Sequence, residues 1–273
     1  ADLNCPLTAE GGIADDSRIL AALPTIRYAR EQGAKVILCS HLGRPKGRVR
    51  KELSLEPVGR RLAELLDTDI AFPEDSVGDG PRKIALDLRE GQVMLLQNVR
   101  FCAGETKNDD QLARQLASLT NVYVNDAFGA AHRAHASVSG ITRHVADRGA
   151  GFLMIREVKA LSALLSAPQR PFVVSIGGGK VAGKIGVIEN LLNVADTILI
   201  GGAMAYTFLA ALGVDVGSSR VEEDKLALAK RVLTKADAQK VQLILPSDHV
   251  CAREADQLAP TSIHLNGEVP DGL

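Results

Sequence analysis

Apolar, β-branched runs of strand length recur along the chain: AKVILCS (34–40), QVMLLQNV (92–99), NVYVNDAF (121–128), PFVVSIGG (171–178), DTILIGG (196–202) and VQLILP (241–246). Their apolar character is continuous rather than alternating, which predicts parallel strands covered on both faces. Amphipathic segments lie between them. SRILAALPTIRYAREQG (17–33) reads as a helix stopped by Gly33, and SLEPVGRRLAELL (54–66) as one with Ser54 at its N-cap and Pro57 in its first turn. This alternation implies a doubly wound α/β architecture. GAGFLMIREVKALSALL (149–165) forms a single apolar helical pattern that SAPQRP (166–171) breaks. It predicts a hinge helix over 151–166 between one lobe at 1–150 and another at 167–273. The opening residues, ADLNCPL, read as a strand or strand end, so the chain is expected to begin inside an element.

Composition narrows the function. With 273 residues, 46% of them hydrophobic, the chain can bury two cores. A formal charge of −1 argues against a general nucleic-acid or polyanion binder, so basic chemistry must come from local clusters acting on small molecules. Cys5, Cys39, Cys102 and Cys251 stand far apart, without the spacing of a zinc site, and are expected to be reduced thiols. No apolar run approaches the roughly 20 residues that span a bilayer, and no signal-peptide pattern opens the chain; a cytoplasmic monomer is expected.

Three segments carry candidate chemistry. HLGRPKGRVRK (41–51) follows the strand at 34–40, and the loops at the carboxyl ends of parallel strands are where open α/β sheets bind ligands. Arginines there suit an anion, although the stretch could equally be an exposed basic loop. NDAFGAAHRAHAS (125–137) places Asp126, His132, Arg133 and His135 after another strand. Two histidines three apart without a third ligand are more often hydrogen-bonded than metal-bound, so Arg133, as an anion clamp, is the better candidate. SIGGGKVAGKIGVIENLL (175–192) runs from a strand through a glycine-rich turn into a helix, a phosphate site to which Lys180 and Lys184 add charge. Two motifs nearly fit it. GGKVAGK (178–184) has P-loop spacing, but Ile185 stands where Ser or Thr should hold Mg²⁺. GGGKVA (177–182) satisfies only the loose dinucleotide fingerprint. The plain alternative is a tight strand-to-helix turn whose glycines permit close packing. If the first lobe is doubly wound, Arg44, Arg100 and Arg133 all follow strands and gather at one sheet edge, where they would hold a small polyanion.

Read together, DLNCPL (2–7), DDSRILAALPTI (15–26), SHLGRPKG (40–47), LLQNVRF (95–101), VYVNDAFGAAHRAHAS (122–137), RPFVVSIGGGKVAGKIGVIENLL (170–192), IGGAMAYTFL (200–209) and EEDKLALAK (222–230) resemble, in order, the signature blocks of phosphoglycerate kinase. The resemblance implies two Rossmann-like lobes joined by a hinge helix, and reversible phosphoryl transfer between 1,3-bisphosphoglycerate and ADP, giving 3-phosphoglycerate and ATP. It assigns Asp2, Asn4, Arg18, His41, Arg44, Arg100 and Arg133 to the substrate patch. Gly178, Gly179, Lys180, Lys184, Gly202 and Ala203 fall to Mg²⁺-ATP/ADP, with Arg18 and Lys180 catalytic. The sequence departs from the family pattern at Gly183, usually aspartate, and at Gln97, usually glutamate. It also lacks the arginine that usually precedes Ala1, and it stops at EVPDGL (268–273), where the family pattern continues through further nucleotide-binding segments. An incomplete second lobe is therefore expected, with an inactive anion-binding remnant as the alternative to an enzyme.

Overall fold

The computed structural model describes residues 1–254 and 259–270. It divides into two compact units, Ala1–Ala160 and Leu161–Leu273.

In the first unit, α1 (Ser17–Glu31), β1 (Val36–Leu38), α2 (Glu56–Leu66), β2 (Ile70–Ala71), α3 (Asp79–Asp87), β3 (Val93–Leu95), α4 (Asp110–Ala117), β4 (Val122–Asn125), α5 (Phe128–Ala131) and β5 (Asp147–Ala150) precede α6 (Phe152–Ser166). β1 and β2 flank β3, both parallel to it, whereas β4 and β5 form a separate parallel pair. β3 shows why the apolar run lacks alternation. Val93 and Leu95 enter a core with Ile19, Leu23, Val58 and Leu62 of α1 and α2, while Met94 and Leu96 face the other way, toward Leu112 and Leu116 of α4. Helices thus cover both faces, and every β3 side chain is buried. Each fully buried large aliphatic side chain contributes about 1.5–3 kcal/mol to this packing.

In the second unit, β6 (Val173–Gly177), α7 (Ile185–Leu191), β7 (Thr197–Gly201), α8 (Met204–Ala211), α9 (Leu226–Gln239) and β8 (Gln242–Ile244) precede β9 (Asp248–Cys251) and β10 (Ser262–Leu265). The strands β6, β7 and β8 form a parallel sheet in that order, and β9 pairs antiparallel with β10. Ile198 and Ile200 of β7 pack with Ile188, Met204, Phe208 and Val232. Both units are therefore mixed α/β with parallel sheets.

Several local expectations are corrected. α2 begins at Glu56, with Leu55 at the cap; the Ser54 hydroxyl accepts instead from the Glu56 N–H at 3.2 Å, a two-residue turn that competes with capping. The helical pattern from 149 is split, because Gly149 and Ala150 pair with Val124 and Asn125 before α6 starts at Phe152. Residues 2–6 make no strand ladder. The Ala1 ammonium donates to the Cys39 carbonyl and the Leu3 N–H to Ser40 Oγ, and Leu7 bridges Ile13.

All four cysteines are free thiols. Burial pushes Cys5 up to about 11 and Cys39 up to about 12. Since the thiolate is the reactive form, both should react with a disulfide reagent at pH 8 far more slowly in the native protein than in denaturant. A stopped-flow thiol assay checks this; equal native and denatured rates would contradict it. Among the described residues, no helix is long and apolar enough to cross a membrane.

Candidate functional site

Loops at the carboxyl ends of β1, β3 and β4 bring a cationic cluster together in the first unit. Its anchor is Asn98, which no solvent reaches. The Asn98 carboxamide oxygen accepts from the Leu42 and Arg100 N–H groups at 3.2 and 3.1 Å, and its nitrogen donates to the Leu42 and Leu53 carbonyls at 2.7 and 2.9 Å. Loop 42–53 is thereby joined to the turn that carries Arg100. Gln97 extends the joint. Its oxygen accepts from the Leu55 and Asn98 N–H groups while its nitrogen donates to Ser54 Oγ at 3.0 Å, a donation that a carboxylate could not make.

Arg100 lies 8% exposed, with one terminal nitrogen on the Gly43 carbonyl at 2.8 Å and its Nε buried without a partner. Gly43 has φ +59°, a left-handed conformation that favours glycine, and a side chain there would also crowd the end of Leu53 at 2.8 Å. The Gly43 N–H donates to Asn4 Oδ1 at 2.9 Å. Asp2 accepts from Arg18 at 2.7 Å through one carboxylate oxygen, and its other oxygen is buried without a partner. Burial, followed by the nearby Arg133, moves Arg100 below its ordinary range, with Arg44 acting in the same direction. His41 is lowered to about 4, first by burial and then by Arg100, with smaller effects from Arg133 and Arg18. The structure thus gathers Asp2, Asn4, Arg18, His41, Arg44, Arg100 and Arg133 into one neighbourhood. Like charges held this close repel one another until an anion arrives.

The sequence reading missed Glu105. Only 2% exposed, it accepts from the Ser137 N–H at 3.0 Å and from the Ser137 hydroxyl at 2.6 Å, and its carboxylate lies 3.6 Å from His135 Nδ1. It fixes the loop that carries Arg133 and His135. Burial raises its pKa and lowers that of His135, so at neutral pH the histidine is uncharged and their contact is not a full ion pair.

The low pKa of His41 gives a testable pH dependence. An unfolded histidine takes up its proton near 6.5, whereas the folded one resists until about 4. The stability it contributes is full above about 6.5 and lost as pH falls toward 4. His41→Gln should flatten the decline in stability across that window, as measured by urea melts at pH 7, 5.5 and 4.5. An unchanged slope would contradict the assignment.

In the second unit, Gly177 and Gly201 are paired neighbours on β6 and β7, and the turns after them meet. Gly202 has φ +69°, and a Cβ there would lie 3.0 Å from the Gly178 nitrogen; the Met204 N–H donates to the Gly178 carbonyl at 2.9 Å. Ala203 sits at the cap of α8. The order strand, glycine-rich turn, helix over 175–192 is present, with the helix confined to its second half. α7 starts only at Ile185, after a separate turn in which the Val181 N–H binds the Glu222 carboxylate. Lys180 and Lys184 are exposed, and nothing lies within 4 Å of where a Gly183 side chain would begin.

Comparison with known proteins identifies the family. The family described as Phosphoglycerate kinase matches residues 1–272. The chain belongs to the phosphoglycerate kinase family. It is 55% identical to the phosphoglycerate kinase of Anaeromyxobacter sp. (strain K), spanning all of this chain and 69% of that one, and 49% identical to that of Chlorobium phaeobacteroides (strain BS1), spanning all of this chain and 68% of that one. The solved phosphoglycerate kinase of Coxiella burnetii superposes with a TM-score of 0.82 at 40% identity, covering 99% of this chain and 68% of its own. Membership of the family fits the α/β architecture and the paired glycine turns.

Proposed function

We propose that this phosphoglycerate kinase family chain transfers a phosphoryl group reversibly between 1,3-bisphosphoglycerate and ADP, using the cationic cluster for the phosphoglycerate and the glycine turns for the nucleotide. Two buried atoms without partners carry this reading: Asp2 Oδ1 and Arg100 Nε, an acceptor and a donor left open in one cluster. Buried polar groups are almost always paired, so a ligand with both a hydroxyl and an anionic oxygen supports itself there. A phosphorylated hydroxy acid has both. Asp2 and Asn4 would meet its hydroxyl end, and His41, Arg44, Arg100 and Arg133 its phosphate and carboxylate. Arg18 and Lys180 would neutralise the phosphoryl group in transfer, which needs positioning and charge rather than a nucleophilic side chain. Gly178, Gly179, Lys184, Gly202 and Ala203 would line the nucleotide phosphates.

The division into a substrate lobe at 1–150, a connecting helix at 151–166 and a nucleotide lobe at 167–273 belongs to the same proposal. Among the described residues, no three His, Cys, Asp or Glu side chains are grouped to hold a metal ion. Magnesium would come as a complex with the nucleotide phosphates.

A coupled assay of ATP formation from 1,3-bisphosphoglycerate and ADP tests the transfer. Arg18→Ala and Lys180→Ala should each slow turnover at least tenfold at saturating substrate. Unchanged rates in both variants would overturn the assignment of these two roles.

A further inference from the structure

The lysine turn of the second unit has few fixed points. Five of the ten residues from Gly177 to Gly186 are glycine, so the backbone there has wide conformational freedom. Within 178–184 Val181 alone is buried, in the core with Ile188, Phe208 and Val232. Lys180 and Lys184 are exposed, and neither side chain makes an ion pair among the described residues. The N–H of the peptide that joins Lys180 to Val181 donates to the Glu222 carboxylate, 41 residues further along the chain. The Val181 carbonyl accepts from the Lys184 and Ile185 N–H groups at 2.9 and 3.0 Å, which carries the hold forward to Lys184 and the start of α7. Lys184 folds back over the turn, with its Cε 3.9 Å from where a Gly178 Cβ would stand. Glu222 is itself fixed on both sides. Its N–H donates at 3.1 Å to the hydroxyl of Thr207, a buried residue of α8, and its carbonyl accepts from the Lys225 N–H at 2.9 Å in the short turn that leads into α9. Phe208 of α8 and Ala229 and Val232 of α9 share one core, so this support is rigid.

We propose that Glu222 is a positioning residue for both lysines: by tying the Lys180–Val181 peptide to α8 and α9, it holds Lys180 and Lys184 ready for the phosphates of a nucleoside diphosphate. This role rests on the nucleotide reading given above and adds to it a side chain that touches no ligand. A buried N–H needs an acceptor, and a carboxylate makes the stronger, charge-assisted bond. Without that acceptor the Val181 side chain still fills its place in the core, so the unit keeps its fold. The peptide in front of it, however, can turn, and the glycines at 177–179 and at 183 offer little resistance. Two ammonium groups on flexible stems repel each other, and only a backbone set in advance brings both to one chain of phosphates without a large ordering cost.

The test titrates the full chain with ADP and Mg²⁺ in a calorimeter and, without nucleotide, follows hydrogen exchange over 180–185 by mass spectrometry. Glu222→Ala should weaken ADP binding about tenfold and speed exchange over 180–185 by about the same factor. Glu222→Gln keeps an oxygen acceptor at the same reach and should stay within about threefold of the unchanged chain in both readouts. Glu222→Asp keeps the charge but is one methylene too short, and should behave like alanine. Affinity for 3-phosphoglycerate should not move in any of the three. A general loss of stability, or loss of the charge alone, would not rank glutamine above aspartate. Normal ADP affinity in the alanine and aspartate variants, a glutamine variant as weak as the aspartate one, or exchange over 180–185 indifferent to Glu222 would each overturn the proposal. If the alanine variant does not fold, the glutamine and aspartate variants decide between them. An unchanged chain that binds no ADP, with exchange over 180–185 still following Glu222, would overturn the nucleotide reading and leave Glu222 an anchor of the turn alone.

Discussion

Asn98→Ala should lower the unfolding free energy by about 3 kcal/mol or more. The carboxamide makes four hydrogen bonds from a fully buried position, two as acceptor and two as donor. Alanine leaves two backbone N–H groups and two carbonyls to find other partners where water does not reach, at about 1–3 kcal/mol for each group left unsatisfied. The penalties do not add fully, since loop 42–53 can move to recover some of them. That movement displaces Gly43, and with it the carbonyl that holds Arg100. Phosphoglycerate affinity should therefore fall along with stability. Urea unfolding monitored by circular dichroism measures the first effect, and a loss below about 1 kcal/mol would mean that Asn98 does not hold the two loops together.

Arg100→Met should show the opposite division, with a large loss of binding and little loss of stability. Without ligand, the guanidinium is buried beside other arginines, leaves its Nε unpaired and makes one hydrogen bond, to the Gly43 carbonyl. Methionine keeps most of the packed stem and removes the repulsion with Arg133 and Arg44. With ligand bound, the same guanidinium gains charge-assisted hydrogen bonds worth about 1.5–3 kcal/mol each. Affinity for 3-phosphoglycerate should drop about a hundredfold, for two such contacts partly offset by relief of repulsion. The melting temperature should move by no more than a few degrees. A variant that binds normally, or one that fails to fold, would show that Arg100 serves the scaffold rather than the ligand.

These two residues also show what the sequence made legible. Arg100 was accessible to pattern reasoning because it follows an apolar run, and a parallel strand delivers the next residues to the ligand edge. The run 92–99 reads as one strand through Asn98, whereas β3 stops at Leu95 and Asn98 caps a short turn. The signal was present: two adjacent polar residues, Gln97 and Asn98, inside LLQNVRF must be satisfied if the run is buried. Glu105 offered no comparable signal, since its partner Ser137 lies 32 residues away and only the folded chain brings them together. β5 escaped for another reason. Asp147–Ala150 carries no β-branched residue and is held by its ladder with β4 rather than by burial. In the second unit the glycine turns stood out in the sequence, but their partner did not. The Gly178 turn is shaped as much by Gly202 and Met204, on the neighbouring strand-to-helix connection, as by the helix that follows it.

The central claim is that the cluster at the carboxyl ends of β1, β3 and β4 is a phosphoglycerate site, and calorimetric titration of the chain with 3-phosphoglycerate tests it most directly. One molecule should bind per chain, more weakly as salt rises, because exposed charges such as Arg44 contribute. Arg133→Ala should weaken binding about tenfold or more, from the loss of one charge-assisted contact. An affinity unchanged both by salt and in the Arg44→Ala and Arg133→Ala variants, or no binding at all, would contradict the account.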